Sequence, residues 1–250
     1  MNEKKRNILI TGSSGSLGSF LSEAFLKEGH WVTGLDQAKP KTNELEANYA
    51  ACWRFMDCDL TKASQVKKVL EEAHKTRGAF DVVINNVGLI YNEPLLGIKN
   101  GQFSTHDFDA WDKVIASNLS AGFYVTALCA EKMVSAVHLG VIINISSLCA
   151  SGNAGQSAYS AAKAGVNAMT VALSKELGAL GIRIAAISPG YLDTASTHAH
   201  MEEKQLEHIR QAVPLRKLGQ PKDLMSAVRF IIENDYFHGK VLELDGGLTL

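Results

Sequence analysis

Tyr159 and Lys163 stand four residues apart in the run Tyr-Ser-Ala-Ala-Lys-Ala-Gly. That run is compatible with a helix, and the spacing puts both side chains on one face, one turn apart. A phenol with an unperturbed pKa of about 10 is poorly poised at neutral pH, and a neighbouring ammonium favours the phenolate and lowers that value. Ser146, leaving an apolar run, can hold a substrate oxygen by a hydrogen bond, and Asn118 lies upstream in Ala-Ser-Asn-Leu. Each residue alone has a bland reading, a tyrosine in a core or a lysine in solvent. Together they suit hydride transfer to a carbonyl, which leaves negative charge on oxygen and needs a proton donor there.

Such chemistry needs a hydride carrier. The first apolar run ends at Thr11 and leads straight into Gly12-Ser13-Ser14-Gly15-Ser16-Leu17-Gly18 and a helical pattern. Gly12 permits a tight turn, and small residues let the backbone approach a pyrophosphate. The helix N-terminus offers free N–H groups and the positive end of its dipole. Gly12, Ser14, Ser16, Leu17 and Gly18 are the expected contacts, although the glycine spacing is not that of the G-x-G-x-x-G fingerprint. Asp36 ends the second apolar run, 18 residues after Gly18. A carboxylate there can accept hydrogen bonds from ribose hydroxyls and would repel a 2′-phosphate, so NAD is expected over NADP.

Seven short apolar runs must position these groups, at residues 7–11, 31–35, 55–60, 82–86, 141–145, 182–187 and 240–244. Helical patterns separate them, among them residues 17–28, 111–134 and 157–177. Strands apolar on both faces belong in a parallel sheet covered on both sides. End-to-end alternation implies a doubly wound α/β fold, with seven parallel strands and helices on both faces. No Pro- or Gly-rich linker and no repeat divides residues 1–250, so one domain is expected, with substrate loops at about 91–108 and 191–214.

The chain has 250 residues, 46% hydrophobic and 20% charged, with net charge −1, which excludes a disordered chain and argues against a polyanion binder. Lys4-Lys5-Arg6 reads as a solvated basic terminus, and no nucleic-acid partner is expected. No apolar run reaches the roughly 18 to 20 residues that span a bilayer, and the opening apolar stretch is too short for a signal-peptide core. Cys52, Cys58, Cys129 and Cys149 form no CxxC pair and read as reduced thiols, so a cytoplasmic location is expected. His198, His200 and His208 fall in a polar segment with no Cys or acid at ligand spacing, so they read as lid residues and no metal is expected. On that lid Met201, Leu206 and Ile209 would line a pocket.

Taken in order, Thr11-Gly12 through Gly18, Asp59-Leu60, Asn85-Asn86-Val87-Gly88, Asn118, Ser146, Tyr159 to Lys163, Pro189-Gly190 with Thr194, and Asp245-Gly246-Gly247 resemble the short-chain dehydrogenase/reductase family over essentially the full length. The resemblance implies a Rossmann fold and NAD(P)-dependent interconversion of a secondary alcohol and a ketone. It makes Tyr159 the general acid/base, Lys163 its activator and ribose ligand, Ser146 the substrate-orienting hydroxyl and Asn118 part of a water-linked proton relay. Asp59 and Leu60 would sit at the adenine, Asn86, Val87 and Gly88 at the adenosine ribose, and Pro189, Gly190, Leu192 and Thr194 at the nicotinamide amide. Two positions depart from the family pattern: Ser16 stands where glycine is usual, and Val87 replaces the alanine of N-N-A-G. In relatives the faces of helices 111–134 and 157–177 pair between subunits, which implies a homotetramer or homodimer.

For the substrate, Gly155 to Tyr159 and Pro214 to Gly219 resemble 3-oxoacyl-carrier-protein reductases, which usually take NADPH. The insertion at 91–108 and the chain's ending are similar to NAD-dependent 3-hydroxyacyl-CoA dehydrogenases that also oxidise hydroxysteroids. Both act on a 3-hydroxyacyl/3-oxoacyl thioester, the leading expectation. A sugar, polyol or steroid alcohol is the alternative, and a non-catalytic NAD-binding regulatory protein is the rival class. A protein that only binds has no need of Asn118, Ser146, Tyr159 and Lys163 together.

Overall fold

The apolar runs become strands because both of their faces can be buried. The computed structural model describes residues 5–40, 42 and 44–250. Lys4 of the basic run lies outside them, and the His200 side chain is likewise not described. The first half comprises β1 (Asn7–Thr11), α1 (Ser16–Lys27), β2 (Trp31–Asp36), α2 (Glu44–Tyr49), β3 (Trp53–Asp57), α3 (Ala63–Arg77) and β4 (Val82–Asn85). An antiparallel hairpin follows, β5 (Leu96–Lys99) and β6 (Gln102–Thr105). Next come α4 (Phe108–Ile115), a π-helical turn (Ala116–Ser120) and α5 (Ala121–Ser135). The chain finishes with β7 (Gly140–Ile145), α6 (Ser157–Leu177), β8 (Ile182–Pro189), α7 (Ala195–His200), α8 (Glu203–Ala212), α9 (Pro221–Glu233) and β9 (Val241–Leu244).

Seven strands form one parallel sheet in the order β3-β2-β1-β4-β7-β8-β9. Alternation along each strand feeds two cores. Ile8 and Ile10 of β1 face a cluster with Leu21 and Phe25 of α1 and Val228 and Ile231 of α9. Leu9 faces the other cluster, with Leu70 of α3 and Val125, Cys129 and Met133 of α5. This is the doubly wound fold read from the sequence. The chain winds outward from β1 to β3, then restarts at β4 and winds the other way. That reversal opens a crevice beyond the carboxyl ends of β1 and β4.

Three elements differ from expectation. β3 starts at Trp53 and ends at Asp57, so Asp59 and Leu60 lie beyond the strand. The reason is Trp53, which pairs with Val32 and is buried in the first core. The segment 91–108 holds the β5–β6 hairpin, where only an irregular loop was expected. The segment after β8 forms two short helices, α7 and α8. Among the described residues, the continuous helical stretch Phe108–Ser135 is long and apolar enough by composition to cross a bilayer, with mean hydropathy 1.2 over its most apolar window. Its Val114, Val125, Cys129 and Met133 are buried inside the protein instead.

Candidate active site

Gly12 turns with φ +64°, in the left-handed region that favours glycine. A Cβ on Gly18 would fall 2.0 Å from the Gly12 carbonyl oxygen, so the loop and the first turn of α1 meet backbone to backbone. α1 begins at Ser16 behind Gly15, no side chain caps it, and no acid occupies its first turn. Its leading N–H groups and dipole are therefore open to an anion. Ser16 lies in ordinary helical backbone, so serine carries no strain where the family pattern has glycine. This cradle, which a Cβ would fill, fits the pyrophosphate of a dinucleotide.

Asp36 leaves β2 beside that loop. Its carboxylate accepts hydrogen bonds from the Ser14 N–H (3.0 Å) and the Ala38 N–H (3.0 Å), while the Ser14 hydroxyl donates to the Ala38 carbonyl (2.6 Å). Asp36 thus fixes the loop it was expected to serve, and each carboxylate oxygen keeps a further lone pair. Asn86 is spent in the same way: its Nδ2 donates to the carbonyls of Thr11 (3.2 Å) and Gly12 (3.3 Å). The Thr11 hydroxyl accepts from the N–H groups of Asn86 and Val87. The added methyls of Val87 pack on the second core. Asp59 accepts the Thr61 hydroxyl (2.6 Å) and N–H (3.0 Å), which holds its carboxyl below the usual range, and Leu60 is buried in the second core.

Tyr159 and Lys163 share a face of α6 and are both buried. The Lys163 ammonium donates to the Ile145 carbonyl at the end of β7 (2.8 Å) and lies 5.6 Å from the centroid of the Tyr159 ring. Burial dominates both groups. It pushes the Tyr159 hydroxyl up to about 12, opposed by a hydrogen bond with the Ser147 hydroxyl, and pushes Lys163 down to about 8. Lys163 is not among the causes that act on the phenol here, and its ammonium is bonded to the Ile145 carbonyl.

Two adjacent serines lie at this site. Ser146, the sequence candidate, turns its hydroxyl to the Lys163 carbonyl (3.3 Å). Successive residues leaving a strand point to opposite sides, so it is the next residue, Ser147, that meets Tyr159. The doublet Ser146-Ser147 carried the signal, and alternation in β7 decides which member faces the phenol.

Asn118 sits inside the π-helical turn between α4 and α5, an irregularity that favours functional sites. Its Nδ2 donates to the carbonyls of Leu89 (2.8 Å) and Val114 (2.9 Å), and its Oδ1 accepts from the Leu89 N–H (3.2 Å). Gly88 lies between: a Cβ there would come 2.8 Å from Asn118 Oδ1 and 3.5 Å from Lys163 Nζ. Behind them runs a buried amide ladder missed by sequence reading. Asn85 donates to Thr126 (2.9 Å) and to Asn144 (2.9 Å), and Asn144 donates to Thr170 (2.9 Å). It ties α5, β4, β7 and α6 together.

Pro189 ends β8, and the Gly190 N–H donates to the Leu244 carbonyl (2.9 Å). Leu192 is buried and bridges to Gly219. Thr194 caps α7 by accepting the Thr197 N–H (3.1 Å), and the Ser196 N–H donates to the Ser16 hydroxyl (3.3 Å), which joins α7 to the glycine loop. Around Tyr159 lies an apolar cluster of Val114, Leu148, Cys149, Val213 and Leu248, flanked by Leu89, Tyr91, Tyr191 and Ile209. Of the lid residues expected at a pocket, Ile209 joins this cluster and Leu206 is fully buried. His198 contacts Asp193 (2.6 Å).

The glycine cradle, the paired Tyr159 and Lys163 and the sheet order agree with one family. The model of the short chain dehydrogenase family matches residues 6–205. The chain belongs to the short-chain dehydrogenases. As such it is an oxidoreductase that acts on CH–OH groups and binds NAD or NADP. It is 32% identical over 248 residues to a 3-oxoacyl-acyl-carrier-protein reductase, FabG, of Thermotoga maritima, with 97% of each chain covered. It is 33% identical over 260 residues to a (3R)-3-hydroxyacyl-CoA dehydrogenase of Canis lupus familiaris, covering 97% of this short-chain dehydrogenase and 95% of that one. Among solved structures, a gluconate dehydrogenase candidate from Agrobacterium tumefaciens superposes with TM-score 0.86 at 26% identity, covering 97% and 95% of the two chains.

Proposed function

We propose that this short-chain dehydrogenase interconverts a 3-oxoacyl and a 3-hydroxyacyl thioester, with NAD preferred over NADP. The observation that carries the reading is a buried phenol flanked by the Ser147 hydroxyl and, one turn away, the Lys163 ammonium. The bound dinucleotide supplies or takes the hydride. Gly12, Ser14, Ser16, Leu17 and Gly18 would hold its pyrophosphate, Asp36 the adenosine ribose, and Asp59 and Leu60 the adenine side. Asn86, Val87 and Gly88 would line the ribose, and Pro189, Gly190, Leu192 and Thr194 the amide end. Tyr159 gives its proton to the carbonyl oxygen in reduction, Ser147 in place of Ser146 orients that oxygen, and Asn118 keeps the π turn beside Lys163 in register. Because burial keeps Tyr159 protonated at neutral pH, ketone reduction is the easier direction there and alcohol oxidation gains as pH rises.

The thioester choice is supported by the names of the two relatives above, each at about one-third identity over nearly the whole chain. NAD preference is supported by Asp36 at the end of β2 beside the loop. The chain is read as one domain over 1–250 that acts in the cytoplasm as a homodimer or homotetramer, on a small-molecule substrate. The deciding experiment follows reduced-nicotinamide absorbance with 3-oxoacyl thioesters, sugar acids, polyols and steroids, each with both nucleotides. Turnover of thioesters at least about tenfold above the rest is expected, and a clear preference for a sugar acid would replace the reading. Asp36→Ala should narrow the NAD over NADP preference by about fivefold, the loss of one charge-assisted contact. Equal affinities in the parent would remove Asp36 from that role.

A further inference from the structure

We propose that Glu93 is a positioning residue for the substrate: it holds the Tyr91 ring as a fixed wall of the pocket around Tyr159, and through that wall it sets KM. The inference deepens the thioester reading above and rests on it for the substrate. Tyr91 packs against the apolar cluster that contains Tyr159. Its hydroxyl donates to the Glu93 carboxylate (3.2 Å), so the hydroxyl is taken up by the protein while the ring lies against the cluster. Glu93 grips the ring a second time. Its carbonyl accepts from His106 Nδ1 (3.1 Å), and the buried His106 ring meets Tyr91 nearly edge to face, with centroids 5.7 Å apart and planes at 88°. A carbonyl oxygen only accepts, so Nδ1 is the nitrogen that carries the proton. Trp111 of α4 backs His106 from another side, at 6.4 Å and 84°.

Glu93 is itself held from several directions. Its side chain is only 15% exposed, and its carboxylate also accepts from the Asp107 N–H (2.7 Å) and the Lys99 ammonium (3.2 Å). The Asp107 N–H above all holds its carboxyl below the usual range, so it is an anion at neutral pH. Asp107 in turn caps α4 by accepting the Ala110 N–H (3.1 Å). The Glu93 N–H donates to the Gly155 carbonyl (2.8 Å), and beside it Gln156 donates to Asn92 (2.6 Å). Gly155 and Gln156 directly precede α6, the helix that holds Tyr159. α4 runs on into the π turn that holds Asn118. One residue thus ties the Tyr91 wall to the starts of both helices that carry the site. An exposed ion pair with Lys99 alone would do little, and the other bonds all reach inward. Fixing a wall before the substrate arrives removes an ordering cost from binding and leaves the chemical step alone.

The test is a double-mutant cycle with the N-acetylcysteamine thioester of a short 3-oxo acid, with KM and kcat read separately. Glu93→Ala should raise KM about tenfold, as for a lost hydrogen bond to a charged group, with kcat within about threefold and nucleotide affinity within about twofold. Tyr91→Phe should raise KM about fivefold, because the His106 contact remains. The double variant should be no worse than Glu93→Ala, since both single changes break the same bond. Glu93→Gln keeps a carbonyl oxygen for Tyr91 and Asp107 and should stay within about threefold of the parent. Single effects that multiply in the double variant overturn the proposal. So does a Glu93→Ala that changes kcat or nucleotide affinity in place of KM, or a Glu93→Gln as impaired as Glu93→Ala. If Glu93→Ala does not fold, Tyr91→Phe decides, and an unchanged KM there overturns the proposal. If no thioester turns over, the thioester reading fails by itself, and the same cycle is read with the ketone that the substrate screen selects.

Discussion

Between β1 and β4 the crevice is backbone packed on backbone. A single added carbon at Gly18 has no room, and Asp36, Asn86 and Thr11 all spend hydrogen bonds on the loop. Around Tyr159 the walls are side chains of loops and helices, among them Leu89, Tyr91, Tyr191 and Ile209, and the nearby β5–β6 hairpin leaves Leu96, Ile98 and Phe103 open to solvent. The first region leaves almost no freedom of sequence, and the second leaves a great deal. A dinucleotide has one shape, so the parts that meet it are set by close approach. A substrate varies, and the elements proposed to meet it stand outside the sheet.

Tyr159→Phe asks whether chemistry sits where the two regions meet. It should lower kcat by about a thousandfold, the loss of a positioned acid, while nucleotide affinity by fluorescence titration stays within about threefold. Retained turnover would break the contrast at its centre. Gly18→Ala tests the close-packed side. It should cost about 3 kcal/mol in chemical denaturation and weaken nucleotide binding, whereas Ile98→Ser on the open side should stay within about 0.5 kcal/mol. Similar costs at both positions would erase the distinction.

Lys163→Met sharpens it by removing a buried charge. The folded value of Lys163 is about 8, against 10.5 for the ordinary lysine, so between those values the unfolded chain binds more protons. Parent stability must then rise as pH climbs through that window, and the variant should lack the rise. Because the charged form is the costly one below it, the variant should be about 2 kcal/mol more stable at pH 7 by urea titration. A loss of stability would mean that the bond to the Ile145 carbonyl outweighs desolvation. The smallest effect separates the serines. Ser147→Ala should lower kcat/KM about tenfold, the worth of one hydrogen bond to a developing charge, and Ser146→Ala by less than about threefold. The reverse order would restore the sequence assignment.

The sheet was legible because both-face burial leaves continuous apolar runs such as Val82 to Ile84, and because Gly12, Gly18 and Tyr159 with Lys163 depend on local spacing. Three things were not. The hairpin is held by Glu93 through Tyr91, Lys99, Asp107 and Gly155, contacts that no periodicity encodes. The placing of Ser147 rather than Ser146 beside Tyr159 was not legible, because a doublet does not reveal its strand phase. The raised phenol followed from burial, which spacing on a helix cannot report.

The extra residue wound into Ala116–Ser120 reaches further than Asn118. A regular helix turns by about 100° per residue, so one surplus residue would set the stripe Val125, Cys129, Met133 out of phase with Val114 upstream if the turn were not wider. Removing a single amino acid there would straighten the rod and leave its greasy stripe on the sheet, because the wider turn already absorbs the rotation of the surplus residue. What looks like a flaw in the winding is the joint between two floors of one rod, its upper end set over the crevice and its lower end bedded in the interior.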